Sequence, residues 1–122
     1  MKTEVIKKNN TEAAVVYSDE LLITDVQSAL DFIMSVKYET GCANIAVNKE
    51  AIADDFFVLG TCLAGEILQK FINYGVRFAV YGDFSMYTSK PLKDFMYESN
   101  KGKDIYFQPA VSLAIDKLTR CF

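Results

Sequence analysis

The amino-acid sequence predicts an α/β fold: a five-stranded, mostly parallel sheet with an N-terminal antiparallel hairpin and about four helices. Three observations predict it. Short apolar or alternating segments, read as strands, are separated by segments whose apolar residues recur every three or four positions, read as helices. After an opening pair of strands the two kinds alternate strictly, as parallel strands joined by crossover helices do. The run Val76 to Tyr81 is apolar on both faces except at Arg77, which suits a strand inside a parallel sheet.

Glu4-Val5-Ile6 and Ala13 to Tyr17 are the first two strands, and the turn formers Asn9-Asn10-Thr11 join them as a hairpin. Thr24-Asp25-Val26-Gln27 has capping-box spacing, with a hydroxyl at the cap and an amide three residues on. The helix it opens turns Val26, Ala29, Leu30, Ile33 and Met34 inward and stops at Gly41. Asn44 to Val47 is a short strand. A loop carrying Asp54 and Asp55 leads to the best-patterned helix, whose stripe is Leu63, Ile67, Phe71 and Tyr74, widened by Ala64 and Leu68. Gly75 is its C-terminal cap.

Val76 to Tyr81 then enters a turn, Gly82-Asp83-Phe84-Ser85. Ser89 caps a third helix, with Pro91 in its first turn and Leu92, Phe95 and Met96 inside. Ile105-Tyr106-Phe107 is the last strand. Pro109 opens a final helix with Ala110, Leu113, Ala114 and Leu118 on its inner face.

The 122 residues read as one domain, long enough to bury a core without disulfide or metal. Net charge is −3 and the lysines are scattered, which argues against a nucleic-acid module. The longest uncharged apolar stretch, Phe56 to Gly65, is about half the roughly 20 residues a membrane span needs. Met1-Lys2-Thr3-Glu4 has no apolar signal core, so cytoplasmic residence is expected. Cys42, Cys62 and Cys121 are odd in number and widely spaced, as reduced thiols. The chain has no histidine, which removes the commonest general base and metal ligand.

Ligands of open α/β sheets lie beyond the carboxyl ends of the parallel strands. That rule selects Ser18 and Asp19, Asn48 and Lys49, Gly82 to Ser85, and Gln108. The start of the second helix, at Gly60-Thr61-Cys62, belongs to the same rim, where free N–H groups favour an anion. Gly60 and Gly65 read as points of tight helix–sheet packing and Cys62 as buried filler. Asp54, Asp55 and Asp83 are oxygen donors of the kind magnesium takes, but read more simply as solvated or turn-shaping acids. No metal and no cofactor is expected.

The segment from Tyr81 to Lys90 holds more hydroxyls and aromatics than a structural loop requires, which points to a ligand or partner there. The binding residues expected on this rim are Thr61, Asp83, Ser85 and Lys90, around a small anion. Lys90 is the reason: a cation at a helix start opposes the helix dipole, and a bound anion would offset that.

Phe56-Phe57, Leu63-Ala64-Gly65-Glu66-Ile67-Leu68-Gln69-Lys70-Phe71, Gly82-Asp83-Phe84-Ser85 and Ser89-Lys90-Pro91-Leu92-Lys93-Asp94-Phe95 form an ordered set of strings, followed by Glu98-Ser99-Asn100-Lys101-Gly102. These resemble a small bacterial family of unknown function, domain number 4180. Around Val58, Gly60 and Cys62 the chain departs from that pattern toward less polar residues. The element order also resembles the STAS domain of anti-sigma-factor antagonists, in which a phosphorylatable hydroxyl opens the second helix; Thr61 holds the comparable place. The resemblance and the missing histidine together lead to the expectation of a non-enzymatic regulatory or protein-interaction module. The alternative is a small-ligand (anion) binding protein or an enzyme using the carboxyl rim.

Overall fold

The computed structural model describes residues 1–120, so Cys121 lies outside the described residues. Strands β1 (Lys2–Lys8) and β2 (Thr11–Tyr17) form the hairpin. Asn9 and Asn10 both take positive φ at its turn, the backbone that matches strand twist in a two-residue hairpin. Helix α1 (Val26–Thr40) then leads to β3 (Asn44–Asn48). Three short 3-10 turns, Lys49–Ala51, Asp54–Phe57 and Leu59–Thr61, precede α2 (Leu63–Asn73). The remainder is β4 (Arg77–Tyr81), α3 (Lys90–Lys101), β5 (Ile105–Gln108) and α4 (Val111–Leu118).

The sheet order is β1-β2-β3-β4-β5, with β1 antiparallel and the other four strands parallel. This is the predicted fold class, with β4 inside the sheet as its apolar run requires. The strands lie side by side in chain order, and the three crossover helices share one face. Phe32, Ile33 and Val36 of α1, Ile67 and Phe71 of α2, and Leu92 of α3 form one core with alternate residues of the strands, such as Val47, Phe78 and Val80.

The opposite face is built for a single helix. Ala13, Ala46 and Ala79 occupy neighbouring strands there, and their small side chains let α4 lie close, with Ala114 and Leu118 buried beside Tyr106. Arg77, the one charge in the apolar β4 run, secures this arrangement. Its guanidinium donates to the Leu118 and Lys117 carbonyls at the end of α4, at 2.8 and 3.1 Å, and to the Tyr106 hydroxyl at 3.0 Å. The last carbonyls of a helix lack intrahelical donors, so the cation completes them.

The β5 edge is closed by a side chain. Asn100 accepts from the Phe107 N–H at 2.7 Å and donates to the Phe107 carbonyl at 3.0 Å, standing in for one residue of a further strand.

Several local expectations are corrected. The α1 cap is Asp25, one residue later than predicted: its carboxylate accepts from Ser28 N–H at 2.8 Å, and Ser28 Oγ accepts from Asp25 N–H at 3.0 Å. Gln27 instead bonds Asp31 across one turn. The buried face of α1 is Ala29, Phe32, Ile33 and Val36, which takes in Phe32 and Val36 and leaves Met34 exposed. Leu113 is also exposed, because Ala114 and Leu118 take the sheet-facing stripe and Leu113 sits roughly 100° around the helix from Ala114. Cys62 is exposed with φ 63°, and nothing lies within 4 Å of where a Cβ would stand at Gly60 or Gly65. All three are exposed: Gly60 and Cys62 lie in the segment before α2, and Gly65 is on the solvent side of α2, opposite Ile67, Leu68 and Phe71.

Candidate functional site

The carboxyl ends of β3 and β4 continue into the two segments that form the rim. From β3, the 3-10 turns carry the chain outward through Phe57, Val58 and Leu59. From β4, the chain turns at Gly82 and returns through Met86, Tyr87 and Thr88 to the Ser89 cap of α3. Between them lies a cleft of about 630 Å³, lined mainly by Phe57, Val58, Leu59, Tyr87, Pro91 and Leu92. Its volume falls within the roughly 300–1,000 Å³ of small-molecule sites. A second lobe of about 310 Å³ lies beside it, reaching Leu21, Lys49, Glu50 and Ile52. Asp54, Met86 and Tyr87 line both.

Aromatic packing holds the walls. Phe57 stacks on Tyr87 with ring centres 5.0 Å apart and planes 21° from parallel. Phe84 touches both rings and meets Phe107 of β5 edge-on at 5.9 Å, so the loop is keyed to the sheet. The Asp83 carboxylate accepts from Ser85 N–H at 2.9 Å. Its bonds with Ser85 hold it below the usual carboxylate range, with a smaller contribution from the Lys49 charge.

Lys49 is the unusual residue. It follows β3 directly, yet is only 9% exposed. Its ammonium donates to the thioether of Met86 at 3.3 Å and lies 5.3 Å from the centre of the Tyr87 ring. Among the described residues no carboxylate forms an ion pair with it. A buried cation ordinarily has such a partner. Gly82 allows this burial: its φ is 153°, and a Cβ there would stand 3.0 Å from Lys49 Cβ.

Negative charge surrounds the lysine at longer range. Burial raises the Tyr87 phenol, and the charges of Asp54 and then Glu50 raise it further. Tyr81 is raised by burial, then by Tyr17 and Glu50; its hydroxyl donates to the Val16 carbonyl at 2.8 Å.

The four residues expected from sequence do not line the cleft; their neighbours Gly60, Thr88 and Ser89 do. The Thr61 hydroxyl is occupied locally, 2.8 Å from the Asp55 and Val58 carbonyls, and accepts from Leu63 N–H at 3.3 Å. Asp83 and Ser85 are joined to each other within their turn. Lys90 Nζ lies 2.7 Å from Asp94, which raises its pKa and accounts for a cation at that helix start. A spacing of four between Lys90 and Asp94 is a sequence signal for this pair. Lys49 is among the strand-end residues that the rim rule selects; of the 54–60 wall, that rule selects Gly60 alone.

The sequence model of a family described as a domain of unknown function, DUF4180, matches residues 8–118. The chain belongs to this family. The match spans the sheet from the hairpin turn to the end of α4, so the cleft and Lys49 lie inside the DUF4180 domain. No curated protein and no solved structure matches the chain. Among the described residues, no helix is long and apolar enough to cross a membrane.

Proposed function

We propose that this domain is a non-enzymatic regulatory module that binds a small amphipathic molecule in the rim cleft. The observation that carries the reading is a buried lysine without a carboxylate partner, beside an apolar cleft at the carboxyl ends of parallel strands. That is where open α/β sheets receive ligands, and a few polar groups in an apolar wall are what such sites use for orientation. The absence of histidine from the sequence supports binding rather than acid–base chemistry.

Leu21, Val58 and Met86 are exposed around the same mouth. They suit contact with a partner protein, and binding beneath them would change the surface offered. The reading keeps the domain among bacterial cytoplasmic regulators, to which the resemblance to STAS element order also leads.

The test is thermal unfolding against a metabolite panel, with the parent and a Leu59→Asp variant that charges the cleft wall. A ligand at about 100 times its Kd should raise stability by roughly 2.7 kcal/mol in the parent and by much less in the variant. A panel that stabilises neither protein, or both equally, would refute the reading.

A further inference from the structure

The charges in the two lobes define the ligand more closely, on the premise that the cleft is a ligand site. The larger lobe has one charged lining residue, Asp54. The smaller lobe adds Lys49 and Glu50. Glu50 is partly engaged, since its Oε1 accepts from Asn48 Nδ2 at 3.3 Å. Asp54 is exposed, and its carboxylate makes no hydrogen bond or ion pair among the described residues. Lys49 and Asp54 therefore face one cavity, with opposite charges, without reaching each other.

A simple anion would satisfy Lys49 but would meet Asp54 and Glu50. A simple cation would satisfy the acids but would meet the Lys49 charge. A molecule carrying both charged groups on one carbon satisfies both sides. A charge in a largely buried residue such as Lys49 is unfavourable without a partner, and a bound carboxylate would supply one, with the exposed Asp54 at the mouth left for the ligand's cation.

We propose that the cleft binds a zwitterionic α-amino acid with a large apolar side chain. Its carboxylate pairs with the Lys49 ammonium and its ammonium with Asp54. Its side chain enters the larger lobe against Phe57, Leu59 and Pro91. Met86 gives way as the carboxylate arrives: it is 66% exposed and unbranched, and a thioether is a weaker acceptor than a carboxylate.

The test is calorimetric titration with L-phenylalanine, 3-phenylpropionate, which lacks the ammonium, and 2-phenylethylamine, which lacks the carboxylate. Each is titrated into the parent and into Lys49→Met and Asp54→Asn, with folding of each variant checked by circular dichroism. Phenylalanine should bind the parent at least about tenfold more tightly than either analogue. Lys49→Met should erase its advantage over the amine, and Asp54→Asn its advantage over the acid. An analogue that binds the parent as tightly as phenylalanine overturns the zwitterion and leaves the cleft as a ligand site. Failure of all three probes at millimolar concentration also overturns it, and the wider metabolite panel then decides separately whether the cleft binds anything.

Discussion

Replacing Lys49 with methionine should make the protein more stable. Lys49 as a residue is 9% exposed, and its ammonium lies 3.3 Å from a thioether and 5.3 Å from the centre of an aromatic ring. Removing an ammonium from water carries an effective penalty of several kcal/mol. A cation–π contact returns about 0.5–2 kcal/mol. The acids around it lie beyond ion-pair distance and return less than a direct pair would. Methionine keeps an unbranched apolar stem and needs no hydration. The expected net gain is about 1–2 kcal/mol, the lower part of the range found when buried charges give way to apolar residues. Urea unfolding followed by circular dichroism measures it as a rise in midpoint with an unchanged slope. A fall equivalent to more than about 1 kcal/mol would refute the reasoning, because the ammonium would then be a structural member of the fold. Binding sites commonly hold groups at the expense of stability in this way.

Four further outcomes are expected. Phe71 is fully buried and packs edge-on against Phe78 at 4.7 Å; Phe71→Ala should lose about 3–5 kcal/mol in denaturant melts, and a loss below about 1 kcal/mol would mean the site collapses without a cavity. Gly82→Ala meets both a backbone suited to glycine and the Lys49 side chain, so it should lose roughly 1–3 kcal/mol and weaken ligand-induced stabilisation as well. Cys62 holds φ at 63° while exposed; Cys62→Gly should gain about 1 kcal/mol by relieving left-handed strain, and a loss would show that the thiol makes a contact of its own. Asp25 is held below the ordinary carboxylate range by bonds from the Ser28 N–H and hydroxyl. Its stabilisation is therefore full above the unfolded pKa and is lost as pH falls through the folded one. The stability gap between the parent and Asp25→Ala should narrow on acidification, and a constant gap would contradict the cap.

The sequence by itself determined the class of fold and the edge of the sheet where a site belongs. Alternation of strand and helix patterns is a local property, because each element exposes its period whatever it packs against. Ile67, Leu68 and Phe71 mark the buried stripe of α2 by spacing alone, and the apolar run of β4 marks a strand with neighbours on both sides. Strand direction then follows from the helical crossovers, and the rim follows from strand direction. The loop from Tyr81 to Lys90 was legible as a functional candidate through composition, and part of it, from Met86 to Ser89, lines the cleft.

Tertiary structure decided which side chains on that rim are available. Thr61, Asp83 and Lys90 have partners within six residues, so their polar groups are occupied before any distant segment arrives. Lys49 is the reverse case. A lysine after a strand is solvated unless another segment folds over it, and the segment that does so brings Met86, 37 positions away in the chain. Gly82 lets that approach happen, through a backbone conformation and a missing Cβ whose contact exists only in the folded protein. Burial of a charge is a sum over surrounding segments. Periodicity and spacing report the segment itself, which is why they located the rim but not the residue in it that lacks a partner.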